Sequence, residues 1–212
     1  CEVDVLASIP WFPGLALMSR YSYAGRVAGA PRHEVIDGLE VYHPRFFQVP
    51  KIGVLFQGLF YAASLLPSVL KRRSRFDVIL STWAYPDGVA AIALGKALGL
   101  PVVVEVIGTD INVVAEMPAA RANLRVVFPH ATRVVAVSSL LGHKVAALGV
   151  ARDRIDIIPT GVNRSLFYPR DREQARKTLA DKLPGGAEND APLLLYIGRI
   201  EREKGVIDLL DA

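Results

Sequence analysis

Two cations near the end of the chain, Arg199 and Lys204, carry the strongest chemical signal in the sequence. Arg199 offers a planar fork of N–H donors and Lys204 a mobile point charge, and both suit phosphate oxygens. Gly198 permits a sharp backbone turn and leaves room beside it for a ligand. Lys204-Gly205 opens an apolar helical stretch whose first amides add partial positive charge. With Leu193–Ile197 read as a buried strand just before it, the segment is a strand-to-helix turn shaped like half of a diphosphate clamp. The same Glu-Arg-Glu-Lys run also reads as an ordinary solvated charged loop.

Two of three earlier turns could hold polar groups of a ligand. Ile107-Gly108-Thr109-Asp110-Ile111-Asn112 follows an apolar run, and in parallel sheets ligands sit at the carboxyl ends of strands. Thr109 and Asp110 could there hold a substrate hydroxyl, with Asp110 expected at least partly accessible; the alternative is a helix-capping turn. Pro159-Thr160-Gly161-Val162-Asn163 is a second such turn, with plain turn chemistry as its alternative, and Pro86-Asp87-Gly88, after Val78–Ser81, is by itself only a turn signal.

The elements that position these turns alternate in type. Apolar runs at Glu2–Ala7, Leu39–His43, Val78–Ser81, Pro101–Val106, Arg133–Val137, Ile155–Ile158 and Leu193–Ile197 read as strands buried on both faces. Helical patterns cover Gly53–Arg73, Gly88–Leu98, Ala119–Phe128, Ser139–Leu148, Arg172–Leu183 and the stretch from Gly205. Such alternation predicts an α/β fold with a mostly parallel sheet flanked by helices. The Pro169 break divides a domain over 1–169 from the start of a second over 170–212. Cys1 in place of Met, and a last helix of about two turns, lead us to expect an internal piece of a longer protein.

Half of the 212 residues are hydrophobic, enough for a sizeable core, and 25 Lys and Arg against 21 Asp and Glu give a formal charge of +4. The basic residues are dispersed apart from Lys71-Arg72-Arg73 and Arg75, and no basic-aromatic motif points to nucleic acid. The single cysteine excludes an internal disulfide and fits a reducing compartment. Val54–Leu70, nearly free of polar side chains and followed by the basic cluster, has three readings: a buried helix, an interfacial helix on an anionic membrane surface, or a short span. Neither a Gly-x-Gly-x-x-Gly fingerprint nor a phosphate-loop motif is present, which disfavours a nicotinamide-dependent dehydrogenase. His33, His43, His130 and His143 lack metal-ligand spacing.

Taken in order, these turns resemble the retaining, nucleotide-sugar-dependent glycosyltransferases of the GT-B fold, the group 1 family. The matching stretches are Asp77-Val78-Ile79 with Tyr85-Pro86-Asp87-Gly88, Gly108–Asn112, Arg133–Ser138, Ile157–Asn163 with Phe167 and Pro169, and Gly198-Arg199 with Lys204-Gly205. Asp37–Arg45 is also similar to the polysaccharide-building branch. Three features depart from the family pattern. Ile107 stands where a His is frequent, Thr160 and Asn163 replace an Asn and an Asp, and the glycine-rich loop and paired glutamates lie outside the sequence.

The resemblance implies two Rossmann-like domains. The first would bind a carbohydrate or lipid-linked acceptor near Gly108, Thr109 and Asp110, with Gly161 and Asn163 in a cleft turn. The second would bind a nucleotide diphosphate sugar through Gly198, Arg199 and Lys204, whose charges would make a metal ion or other cofactor unnecessary. It implies polysaccharide or glycoconjugate synthesis in the cytoplasm, where the interfacial reading of the apolar helix would rest residues 53–75 on the inner face of the membrane. Ile107 keeps open a non-catalytic sugar-nucleotide-binding or scaffold protein. The family sheet would also place a first strand between Glu2–Ala7 and Val78–Ser81, preceding Cys1. Without that strand the two would face each other across a gap of roughly 9–10 Å. We therefore expect the 212 residues alone to be inactive and poorly stable.

Overall fold

The computed structural model describes residues 2–13, 27, 29–48, 56–182 and 194–211. The chain divides into two compact units, Cys1–Thr160 and Gly161–Ala212.

Strand β1 (Asp4–Leu6) pairs in parallel with β4 (Leu39–Tyr42), which pairs antiparallel with β3 (His33–Ile36). The β3–β4 link is the pair Asp37-Gly38, with φ of 51° and 81°. Positive φ at both central residues is the geometry whose twist matches the flanking strands, and Asp-Gly adopts it cheaply. Strands β2 (Ile9–Trp11) and β5 (Arg45–Phe47) prolong the β1–β4 pairing as a second, two-stranded parallel ladder. His43 spans the break between them, with Nδ1 2.8 Å from the Ala7 carbonyl and Nε2 2.7 Å from the Glu34 carboxylate. β2, β3 and β5 were not anticipated from sequence.

The main sheet is parallel, in the order β6 (Ile79–Thr82), β7 (Val102–Val106), β8 (Arg133–Ala136), β9 (Ile155–Ile157). β1 and β6 lie in different sheets and do not pair. One face carries Ser81, Val102, Val104, Val106, Val134 and Ala136, all buried. It packs under α2 (Val89–Leu98), α4 (Pro118–Val127) and α5 (Ser139–Ala147) through Ile92, Leu124, Phe128, Leu141 and Val145. Gly95 brings α2 against β7, since a Cβ there would lie 2.1 Å from Val102 Cγ2. The expectation of strands buried on both faces is corrected by the other face. There Thr82 and Arg133 are exposed, Val103, Glu105, Val135 and Asp156 are half-buried, and Leu80 keeps 65% of its surface accessible. The physical reason is that α2, α4 and α5 all pack on the one side.

Helix α1 (Gln57–Arg72) packs Tyr61, Ala62, Leu65 and Val69 against Phe46 of β5 and Ala90 and Leu94 of α2. Gly58 sets that close approach, as a Cβ would lie 2.6 Å from Val89 Cγ1. Its opposite side, with Phe56, Leu59, Ala63, Pro67 and Leu70, is exposed. The start of the expected helix, residues 53–55, lies outside the described residues. At the end of α1, Arg72 stacks over Tyr42 and reaches Asp4, while Arg75 pairs with Glu2 and Asp4.

The second unit holds α6 (Arg172–Thr178), capped by Asp171 Oδ1 accepting the Gln174 amide at 2.9 Å, and α7 (Val206–Asp211). The expected strand Leu193–Ile197 is corrected. Leu193 lies outside the described residues, and 194–197 form no strand and leave Leu194, Leu195 and Ile197 exposed. A strand exists only as part of a ladder, and among the described residues none pairs with this one.

Candidate functional site

The turns after β6 and β7 meet at one buried carboxylate. Helix α3 (Thr109–Asn112) follows β7 directly, and Gly108 caps it at φ 138°, a conformation that glycine tolerates and larger residues resist. Asp110, in its first turn, is fully buried. Its Oδ1 accepts the amides of Gly108 at 2.8 Å and Ile107 at 3.3 Å. Its Oδ2 accepts the Ala84 amide, beyond the end of β6, at 3.0 Å. The partial accessibility expected of Asp110 is therefore corrected: the carboxylate spends its lone pairs on backbone amides and fixes the two turns. Thr109 and Ile107 are exposed beside it and Gly108 is half-buried.

Sequence reasoning overlooked Trp83, which sits at φ 114° immediately after β6. Its amide donates to Glu105 O, and its carbonyl accepts the Gly88 amide, each at 2.9 Å. The available signal was a bulky aromatic directly following the apolar strand.

Behind this turn, Tyr61 of α1 donates to Asp87 Oδ1 at 2.8 Å. Burial raises the Asp87 carboxyl above the ordinary carboxylate range, and the hydrogen bond from Tyr61 only partly opposes it. The Tyr61 phenol is likewise raised, by burial first and by the Asp87 charge second. The pair joins α1 to the turn that opens α2.

In the second unit, Tyr196 donates its hydroxyl to Arg199 O at 2.7 Å, and a Cβ on Gly198 would lie 3.0 Å from that hydroxyl. Glycine at 198 thus lets the tyrosine fold back and close the turn. The Arg199 side chain is 74% exposed and holds Glu201 Oε1 at 2.9 Å. Lys204 is exposed at the end of a short 3-10 turn, and Gly205, at φ 71°, hands the chain to α7. Asn163 Oδ1 accepts the Ser165 amide at 3.0 Å and its hydroxyl at 2.7 Å, so it caps its own turn. Gly161 is exposed, and a Cβ there would meet nothing within 4 Å. Among the described residues, no group of three or more His, Cys, Asp or Glu could hold a metal ion, and no helix is long and apolar enough to cross a membrane.

Residues 1–161 match the glycosyl transferase 4-like domain. The chain belongs to that family. All of it aligns, at 26% identity, with 53% of a putative teichuronic acid biosynthesis glycosyltransferase, TuaC, of Bacillus subtilis strain 168. A D-inositol 3-phosphate glycosyltransferase of Frankia alni is 30% identical over 65% of this chain and 34% of its own length. The chain thus spans about half or less of these relatives. Among solved structures, sucrose-phosphate synthase of Thermosynechococcus elongatus superposes with a TM-score of 0.56 at 17% identity, covering 86% of this chain and 46% of that one. The likeness shows the fold expected of the family, an α/β GT-B architecture.

Proposed function

We propose that the glycosyl transferase 4-like chain serves a retaining glycosyltransferase that moves a sugar from a nucleotide diphosphate sugar to a carbohydrate or lipid-linked acceptor in polysaccharide or glycoconjugate synthesis. The observation that carries this reading is the alignment of the whole chain with a teichuronic acid biosynthesis glycosyltransferase. In this reading the N-terminal domain, 1–169, presents the acceptor at the turn holding Gly108 and Thr109, and Gly161 and Asn163 form a cleft turn. The domain beginning at 170 meets the donor diphosphate with Arg199 and Lys204. Exposed cations in a tight turn, one of them held among the described residues by a surface glutamate, can exchange that partner for phosphate oxygens and stabilise charge on the departing nucleotide.

The protein works in the cytoplasm, at the inner face of the membrane. Supporting this are the apolar outer side of α1 and the basic residues that follow it. The test is to incubate the intact gene product with UDP-, GDP- and ADP-sugars and candidate acceptors. We expect acceptor-dependent release of nucleoside diphosphate, with anomeric configuration retained by NMR. Binding of a sugar nucleotide without turnover would support the scaffold alternative that Ile107 keeps open.

A further inference from the structure

We propose that the indole of Trp83 is an aromatic platform on which a pyranose ring of the acceptor stacks. This rests on the glycosyl-transfer reading above and names a residue which that reading does not contain.

The first observation is backbone strain. A tryptophan at φ 114° lies in a region that side chains resist, at a cost of about 1–3 kcal/mol, and such outliers persist only where the surroundings over-determine them. Here they do. The Trp83 amide is tied to Glu105 O, its carbonyl to the Gly88 amide, and the next amide, that of Ala84, to the buried Asp110. The fold therefore holds this residue in place against its own preference.

The second observation is what the ring does not do. The indole is only half-buried, belongs to neither hydrophobic cluster and makes no aromatic stack among the described residues. A half-buried indole outside both clusters contributes part of its apolar surface to folding, and the backbone strain works against that contribution. Glycine, which accepts positive φ, would serve the backbone better.

The third is location. Trp83 follows β6 at the carboxyl end of a parallel sheet, where ligands bind in such folds. Through the adjoining Ala84 amide and Asp110 it is fastened to the turn that carries Gly108 and the exposed Thr109. An indole face meets the C–H-lined face of a sugar ring by dispersion, and a neighbouring hydroxyl orients it by hydrogen bonding. A pyranoside is the ligand that fits both groups.

Two experiments on the intact gene product decide the matter. Trp11, the other tryptophan of the 212 residues, and any tryptophan elsewhere in the gene product are replaced by Phe, which leaves Trp83 as the sole indole. Titration with methyl β-D-glucopyranoside, methyl β-D-galactopyranoside and methyl 2-acetamido-2-deoxy-β-D-glucopyranoside should change its emission saturably for at least one, and the open-chain polyol sorbitol should not. The same response to sorbitol, or none to any pyranoside, overturns the proposal. In kinetics, Trp83→Gly should stay folded, relief of the strain opposing the lost burial, while raising the acceptor KM roughly three- to ten-fold, the scale of one lost aromatic contact. Trp83→Phe should raise it less, and acceptor-independent hydrolysis of the nucleotide sugar should persist in both. An unchanged acceptor KM in a folded Trp83→Gly variant, or lower melting temperatures with hydrolysis lost in both variants, shows a structural role only. Absence of any transfer by the unsubstituted protein would defeat the functional reading, and the fluorescence titration would still decide the role of Trp83.

Discussion

The carboxylate of Asp110 and the amide of Ala84 meet at 3.0 Å, tying the turn after β7 to the turn after β6. The same carboxylate also closes the Gly108 turn at 2.8 Å, so one buried side chain sets the relative position of two strand ends. Removing it leaves the Ala84, Ile107 and Gly108 amides without their acceptor. Asp110→Ala should lose about 2–4 kcal/mol of stability, since a stranded buried donor costs about 1–3 kcal/mol and water can reach the half-exposed ones. Asp110→Asn, which turns one acceptor into a donor facing an amide, should recover only part of this. Urea unfolding of both variants checks it, and wild-type stability in Asp110→Ala would show that the three bonds carry no weight.

Gly95 makes a sharper steric test. A methyl there would lie 2.1 Å from Val102 Cγ2 and 2.9 Å from the Leu100 carbonyl. The carbonyl belongs to the backbone and cannot step aside, so Gly95→Ala should destabilise by about 1–3 kcal/mol despite alanine's better helix propensity. Gly161→Ala, which meets open space, should change the thermal midpoint little. Equal behaviour of the two variants would contradict this packing account.

The sequence exposed the long elements and hid the short ones, for physical reasons. Helices α2, α4 and α5 were legible because each sustains an apolar period over several turns and ends at a capping or stop residue such as Ser138 or Gly149. β3 was missed although Asp37-Gly38 between His33–Ile36 and Leu39–Tyr42 is a strong hairpin signal, since little of β3 is buried and its apolar pattern is weak. Leu193–Ile197 misled in the opposite sense. Its apolar run specifies burial, and burial depends on neighbours that a local pattern does not contain. The same holds at the site. The Gly-Thr-Asp turn was legible, yet that Asp110 would face inward to Ala84 depends on a partner 26 residues away.

The Tyr61–Asp87 pair predicts a pH dependence. The Asp87 carboxyl titrates higher in the folded chain than in the unfolded one, so folding retains its proton and favours the neutral form. Its contribution is therefore most favourable at low pH. It is lost as pH rises from the ordinary carboxylate value of roughly 4 through the raised folded value. Asp87→Asn keeps an acceptor for the Tyr61 hydroxyl and removes the buried charge. The variant should gain stability relative to wild type at pH 8 and lose that advantage at pH 4. Parallel urea titrations at the two pH values measure it, and a difference that does not vary with pH would mean that Asp87 does not titrate in this way.

Arg199 should behave in the opposite manner, affecting turnover and leaving the fold alone. Its exposed pairing with Glu201 contributes little to stability, as surface ion pairs do. If it stabilises charge on the leaving diphosphate, Arg199→Ala in the intact protein should cost roughly 2–4 kcal/mol of transition-state stabilisation, the scale of one preorganised donor. Lys204→Ala should show a comparable defect, with melting temperatures of both close to wild type. Near-normal kcat/KM in either variant would remove that residue from the donor site.

Helix α1 carries the last prediction, because its two sides ask for different environments. Tyr61, Ala62, Leu65 and Val69 are satisfied by the core. Leu59, 64% exposed, lies with Phe56, Ala63, Pro67 and Leu70 on the outer side. An aromatic chain extends this surface: Trp11 lies 6.3 Å from Phe47, Phe47 6.0 Å from Phe60, and Phe60 6.4 Å from Phe56. Lys71 and Arg73 are exposed at the helix end, while Arg72 and Arg75 are engaged by Asp4 and Glu2. An apolar surface with aromatics and exposed cations at one end suits a bilayer of anionic lipid, where the rings enter the interface and the cations meet headgroups. The intact protein should therefore sediment with phosphatidylglycerol-containing vesicles and less with pure phosphatidylcholine, and added salt should release it by screening the cations. A Leu59→Glu, Leu70→Glu double variant should weaken binding while leaving the melting temperature nearly unchanged, since both side chains face away from the core. Equal sedimentation with the two lipids, or undiminished binding by the double variant, would show that this surface meets something other than an anionic membrane.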